Sequence, residues 1–306
     1  MTRDRLALGA FGLIVLFGGT NFVAGRVTIQ ELPPFWAGGL RLAAAAVVLL
    51  ALVVIQRLPL PKGRALVGAM AYGVIGFGAA YAFAYWGFQR VTAGLGAVML
   101  AVTPLFTFGL ALLHGQESFR WRPLLGGGVA VAGIAVMFSG SVSAAVPLSS
   151  LLAVLAMAVC NAEASVFVKQ FPKSHPITTN AVALLVGAVI LLVLSAVFGE
   201  PHPIPVRTST WIALVYLIFL GSTTLFVLFL FVLRSWPAST ASYMFVLFPF
   251  VAVALSVWLE RMPVTPGLAI GGVLVLLGVF VGAVTQVSFM KTPHRVGPEP
   301  CLTCPE

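Results

Sequence analysis

The sequence predicts an all-α integral membrane protein with ten transmembrane helices in two inverted five-helix repeats, and three observations predict it. First, 60% of the 306 residues are hydrophobic and only 8% are charged, which is too little charge to clothe a soluble domain of this length. Second, ten apolar segments are each long enough to cross a hydrocarbon layer about 30 Å thick, which takes roughly 20 helical residues. Third, the C-terminal half repeats the N-terminal half. Arg26 and Pro33 fall on Lys169 and Pro176, 143 residues apart, and Tyr72 falls on Tyr216, 144 apart. Pro104, Gly126, Gly127 and Gly133 fall on Pro249, Gly271, Gly272 and Gly278, 145 apart. An odd number of spans per copy places the second copy upside down relative to the first. The short alternating segments of a β-barrel are not seen.

In chain order, the first copy (1–140) holds spans at 7–26, 33–55, 65–88, 92–114 and 121–139, and an outer linker covers 141–148. The second copy (149–290) holds spans at 149–169, 176–198, 209–233, 238–259 and 265–287, followed by a cytoplasmic tail, 291–306, expected to be disordered. Arg3 and Arg5 before an apolar run resemble a signal peptide. That run continues through Asn21 to Arg26, lacks a clear small-residue cleavage site and matches the sixth span, so it reads as retained structure.

The net charge of +9 follows a topological pattern. With the N-terminus inside, twelve Lys and Arg residues lie in cytoplasmic segments and four (Arg26, Arg90, Arg207 and Arg261) in outer ones. The positive-inside rule then puts both termini in the cytoplasm of a multi-pass protein of the cell membrane, and no nucleic-acid partner is implied. Of the three cysteines, Cys160 lies within a span, and Cys301 and Cys304 form a C-x-x-C in the tail. Neither a disulfide framework nor a metal or redox site follows from them.

Pro104 and Pro249 sit near the middle of the fourth and ninth spans, where a proline removes a backbone hydrogen bond and crowds the preceding turn. A static kink is one reading; a matched pair, one per copy, favours helix hinges lining a cavity. The glycines shared by the fifth and tenth spans point to close helix packing, against their own half or another subunit, so monomer and homodimer both stay open.

With the repeats come a Gly-Thr-Asn-Phe-Val run at 19–23, Arg41 early in the second span, and an acid ending the fourth and ninth spans (Gly-Gln-Glu at 115–117, Trp-Leu-Glu at 258–260). In these features the chain resembles the EamA branch of the drug/metabolite transporter superfamily. The resemblance covers nearly the whole chain and implies a central cavity lined by the first, third, fourth, sixth, eighth and ninth helices. It also implies a small-molecule substrate, an amino acid or other small metabolite, exported across the bilayer.

Glu163 is the one carboxylate clearly within a span. A charge there costs roughly 3 kcal/mol on insertion scales, so it is expected to face the bundle interior or water. It would bind a substrate ammonium or carry a proton, H+ then being the coupling ion; the alternative is that it snorkels or pairs with Lys169 at the inner rim, a pairing made awkward by a spacing of six residues. Its counterpart in the first copy is Thr20, beside Asn21, and Asn161 lies two residues before it. Arg41, roughly two turns in from the outer end of its span, could meet a substrate carboxylate, but the resemblance makes the second helix peripheral to the cavity, so the expectation is that it snorkels outward or pairs structurally. Phe77, Tyr81, Tyr85 and Phe88 share one face of the third span, with Trp86 beside them. They suit either an interfacial aromatic belt or the cavity, and Tyr243 of the ninth span is a similar candidate.

Enzyme chemistry is not expected. The only aspartate is Asp4, the four histidines lie in loops or at span ends, and no nucleotide-binding or hydrolase motif is present. No cofactor is implied. The expectation is a secondary active exporter working by alternating access; an uncoupled facilitator, an exchanger or a non-transporting receptor or scaffold are the alternatives.

Overall fold

The computed structural model describes residues 3–90, 100, 102–138, 147–260, 266–279 and 281, and every regular element among them is helical. In the first half these are α1 (Arg3–Ile29), α2 (Pro34–Ile55), α3 (residues 64–88), α4 (Thr103–Leu113) and α5 (Trp121–Phe138). The second half holds α6 (Leu148–Phe167), α7 (Pro176–Val197), α8 (Thr208–Ser235), α9 (Ala238–Ser242), α10 (Met244–Glu260) and α11 (Pro266–Val279). Helices α1, α2, α3, α6, α7 and α8 are long and apolar enough to span a membrane, and the rest are shorter. Their outward faces are apolar, with Val54 on α2 and Val193 on α7 both more than half exposed, as helices solvated by lipid require. The Cys301/Cys304 tail, most of the 141–148 linker and the side chain of Phe88 lie outside the described residues.

Local chemistry sets the helix starts. Pro34 and Pro176 stand at the first turns of α2 and α7, where a fixed φ and a missing N–H are no loss. From Ala37 to Val53, buried positions on α2 recur on α7 from Thr179 to Ser195, each 142 residues on. The register in this pair therefore matches Pro34, not Pro33, with Pro176. Pro104 also lies in a first turn, that of α4, and not in mid-helix as expected; only Pro249 is inside a helix, α10. The break in this second region comes earlier, at Tyr243 between α9 and α10.

The two longest interrupted helices share a distortion. In α3 residues Gly73–Ala79, and in α8 residues Phe219–Thr224, form π-helical segments, each flanked by regular α-helix. Packing is reciprocal: α1 lies against α8 and α10, α6 lies against α3 and α4, α2 runs along α7 and α5 along α11. The shared glycines thus join the two halves to each other, contrary to packing within one half. A Cβ at Gly133 would meet backbone atoms of Val275 and Gly271, and one at Gly278 those of Ala130 and Gly126.

Two carboxylates tie the connections at one end of the bundle. Glu200 accepts from the backbone N–H of Phe35 (3.2 Å) and Trp36 (2.8 Å), unpaired donors of the first turn of α2. Glu31 accepts from Val206 (2.6 Å) and Arg207 (3.2 Å) and from the Thr210 hydroxyl. The Thr210 bond, more than any other contact, holds the Glu31 carboxyl below its ordinary 4.5. A lowered carboxylate pKa adds stability above the ordinary value that is lost as the pH falls through the lowered one. Protection of the Val206 and Arg207 amides, their exchange rate taken relative to that of an unstructured amide at the same pH, is therefore expected to be high at neutral pH and to be lost as the pH falls through the lowered carboxyl value, and Glu31→Gln to remove that pH dependence.

Candidate functional site

A cavity of about 830 Å³ opens between α1, α2, α3, α6, α8 and the start of α10. Arg26 and Gln30 of α1, with Gln89 and Arg90 after α3, stand at its mouth, and Phe77, Phe226, Phe245 and Phe248 form apolar wall. Inside the mouth its polar groups are Asn21, Arg41, Tyr72, Tyr81, Tyr85, Asn161 and Ser165.

Arg41 is 4% exposed and does not snorkel. Its Nε donates to the Ser222 hydroxyl at 2.8 Å and its Nη2 to the Gly221 carbonyl at 2.9 Å. The Tyr81 hydroxyl is 3.5 Å from Nη2, and the guanidinium carbon sits 5.5 Å from the Tyr81 ring centroid, a cation–π distance. Asn21 donates to the same Gly221 carbonyl at 3.0 Å, while its own Oδ1 is buried with no hydrogen-bond partner among the described residues. The π segment of α8 makes this meeting possible. Gly221 lies in its wide turn, and a Cβ there would stand 2.0 Å from Asn21 Oδ1. Gly221→Ala is therefore expected to displace Asn21 and destabilise the protein by about 1–3 kcal/mol, read as a lower unfolding temperature in detergent. Gly109→Ala, in open space, is the neutral control.

This polar cluster has no polar twin. The α2–α7 register places Ala183 opposite Arg41. Gly76, in the π segment of α3, faces Ala164 as Gly221 faces Asn21. One half carries an amide and a guanidinium where the other carries two alanines.

The other end of the bundle is closed by side-chain bridges among the end of α4, the end of α6 and α9. His114 Nε2 lies 3.2 Å from Glu163 Oε1, and Gln170 meets the other ring nitrogen of His114. Gln116 donates to the Val166 carbonyl at 2.8 Å. Glu117 accepts from the Ser239 N–H (3.2 Å) and hydroxyl (2.6 Å) at the start of α9. Lys169 donates to the Trp236 carbonyl at 2.5 Å.

The structure brings Asn21, Tyr81, Tyr85 and Asn161 to the cavity. Glu163 sits in the closure with its Oε2 buried and unpartnered among the described residues, and its partner is His114, not Lys169. Thr20 bonds to the Leu16 carbonyl of its own helix. Trp86 is 44% exposed on the outside of α3. Tyr243 is fully buried, and its hydroxyl donates to the Pro123 carbonyl at 3.0 Å. Arg41 is the cavity residue that sequence reasoning set aside, because the second helix was expected to be peripheral. The signal that finds it is the alanine at its matched position.

A family model described as the EamA-like transporter family matches the chain twice, over residues 6–139 and 148–283. The uncharacterized inner membrane transporter YedA of Escherichia coli is 30% identical over 288 residues, which are 92% of this chain and 90% of that protein. A probable terminal-alkyne amino-acid exporter of Streptantibioticus cattleyicolor is 30% identical over 90% of this chain and 92% of its own length. A probable amino-acid metabolite efflux pump of Salmonella typhimurium is 24% identical over 88% and 92%. A solved crystal structure shares the fold at a TM-score of 0.73 and 19% identity, covering 93% of this chain and 99% of that one.

Proposed function

The chain belongs to the EamA-like transporter family, and from that premise we propose that it is a secondary active exporter of a small metabolite, an amino acid or related compound. It works by alternating access in the cell membrane, with both termini cytoplasmic and ten spans in two inverted five-helix repeats. The observation that carries the reading is a cavity open at one bundle end and sealed by side-chain bridges at the other. In the orientation the charges favour, its mouth faces outward. Support for the repeats comes from the double family match, the constant 142-residue register of α2 and α7, and the reciprocal helix packing. Two of the relatives carry names of amino-acid export, which supports the substrate class.

Opening the inner end requires the bridges there to part, and the His114–Glu163 pair, 3.2 Å apart, is one of them. Glu163 with His114 is the proposed proton-coupling element, with Glu117 and Lys169 the other charged groups of the closure. The test is flux of amino acids in proteoliposomes under an imposed pH gradient. The wild type is expected to accumulate substrate against its gradient, and Glu163→Gln to lose about tenfold of that accumulation, a change worth roughly 1.4 kcal/mol, while still exchanging substrate. Wild-type flux indifferent to the pH gradient would favour the facilitator reading.

A further inference from the structure

Resting on the transporter reading, the cavity's charge names the chemical group it recognises. Three arginines, Arg26, Arg41 and Arg90, line it, and no carboxylate does among the described residues. Glu31, Glu117, Glu163 and Glu200 are each committed elsewhere, to Thr210, Ser239, His114 and the first turn of α2. The protein groups bonded to the Arg41 guanidinium are the hydroxyls of Ser222, Tyr81 and Tyr85 and the Gly221 carbonyl, and none of them is a carboxylate. A guanidinium buried at membrane depth without a counter-charge is expensive, and the alanine at the matched position on α7 indicates that helix packing there does not call for it. A charge kept at such a cost, on the wall of a cavity, is accounted for by a ligand that completes it. The aromatic wall beside it suits an apolar body.

We infer that the cavity is a site for an organic carboxylate, with Arg41 as the anchor of the carboxylate group and the Phe77, Phe226 and Phe248 wall holding a hydrocarbon or aromatic body. Charge-assisted pairing with a guanidinium fixes a carboxylate's orientation as well as its presence. Asn21 Oδ1, buried and unpartnered among the described residues, accepts a hydrogen bond from a donor next to that carboxylate. Zwitterions are therefore admitted for their carboxylate, whereas amines and neutral amides lack the group that Arg41 meets.

The experiment is a head-group series on one skeleton: binding of phenylacetate, phenylacetamide and phenethylamine to the purified full-length protein, by thermal shift and tryptophan quenching. Phenylacetate is expected to bind at least about tenfold more tightly than the amide, the amine not at all, and the preference to shrink with added salt. Arg41→Lys should retain part of the preference and Arg41→Gln should abolish it. The wild-type series stands even if a variant does not fold. Equal binding of amine or amide, or no binding by phenylacetate, overturns the inference. The transporter reading is judged separately, by amino-acid flux in proteoliposomes: flux without carboxylate preference sinks only the anchor, and absence of flux sinks the transporter.

Discussion

Gly278→Leu is expected to leave no stably folded protein in the membrane. A Cβ at that position would lie 2.5 Å from the Ala130 nitrogen and 2.6 Å from the Gly126 carbonyl oxygen. Both are backbone atoms of α5, so no side chain can swing aside. The reciprocal position behaves alike, since a Cβ at Gly133 would lie 2.7 Å from the Val275 nitrogen and 2.8 Å from the Gly271 oxygen. Lipid supplies no hydrophobic drive between helices, so this pair holds by close backbone contact alone. Overpacking by a few methylenes costs about 1–3 kcal/mol where side chains can adapt, and here they cannot. Size-exclusion chromatography of fluorescently tagged protein should show a lost or aggregated peak for Gly278→Leu and Gly133→Leu. Gly128→Leu, with nothing within 4 Å of its Cβ position, should run as wild type.

The second large effect concerns access. A cysteine at Ser165, deep in the cavity, with Cys160, Cys301 and Cys304 replaced by serine, is expected to react with a membrane-impermeant thiol reagent from outside and scarcely from inside. A closure favoured by about 3 kcal/mol leaves roughly one molecule in a hundred open. Adding Glu117→Ala and Lys169→Ala removes the bonds to Ser239 and Trp236. Hydrogen bonds to charged groups contribute about 1.5–3 kcal/mol each, so inside labelling should rise by more than about tenfold. Equal labelling from both sides in the unaltered closure would remove the basis for a gated cavity.

The membrane class was legible in composition, and family membership in the paired five-span repeats with the Gly-Thr-Asn-Phe-Val run, Arg41 and the acids ending the fourth and ninth spans, because both depend on many residues at once. Registers were legible only to within a residue: proline identity matched Pro33 with Pro176, whereas burial matches Pro34. The π segments were not legible at all, since Gly73, Gly76 and Gly221 read equally well as packing glycines in regular helix. For the site, Asn21, Tyr81, Tyr85 and Asn161 were found through the helices they occupy. Arg41 was weighed as a partner for a substrate carboxylate and set aside because its helix was expected to be peripheral, yet a helix backbone can lie outside a cavity while a long side chain reaches into it. Glu163 drew notice as an isolated charge, but His114, its partner, comes from 49 residues away along the chain, a distance that no local spacing rule spans.

The π segments in α3 and α8 also act as phase shifters. Each inserts an offset between the half-helix before it and the half-helix after it, so Tyr72 and Tyr81 can both reach the cavity from one rod. An α-helix advances about 100° per residue, so converting Gly73–Ala79 to regular helix would turn Tyr81 and Tyr85 by roughly that angle, more than a quarter turn. The guanidinium of Arg41 would lose the ring beneath it. In α8 the same conversion would carry the Gly221 carbonyl away from Asn21 and Arg41 together. The helical phase of two rods thus fixes whether the cavity's charged group is held in place or set adrift.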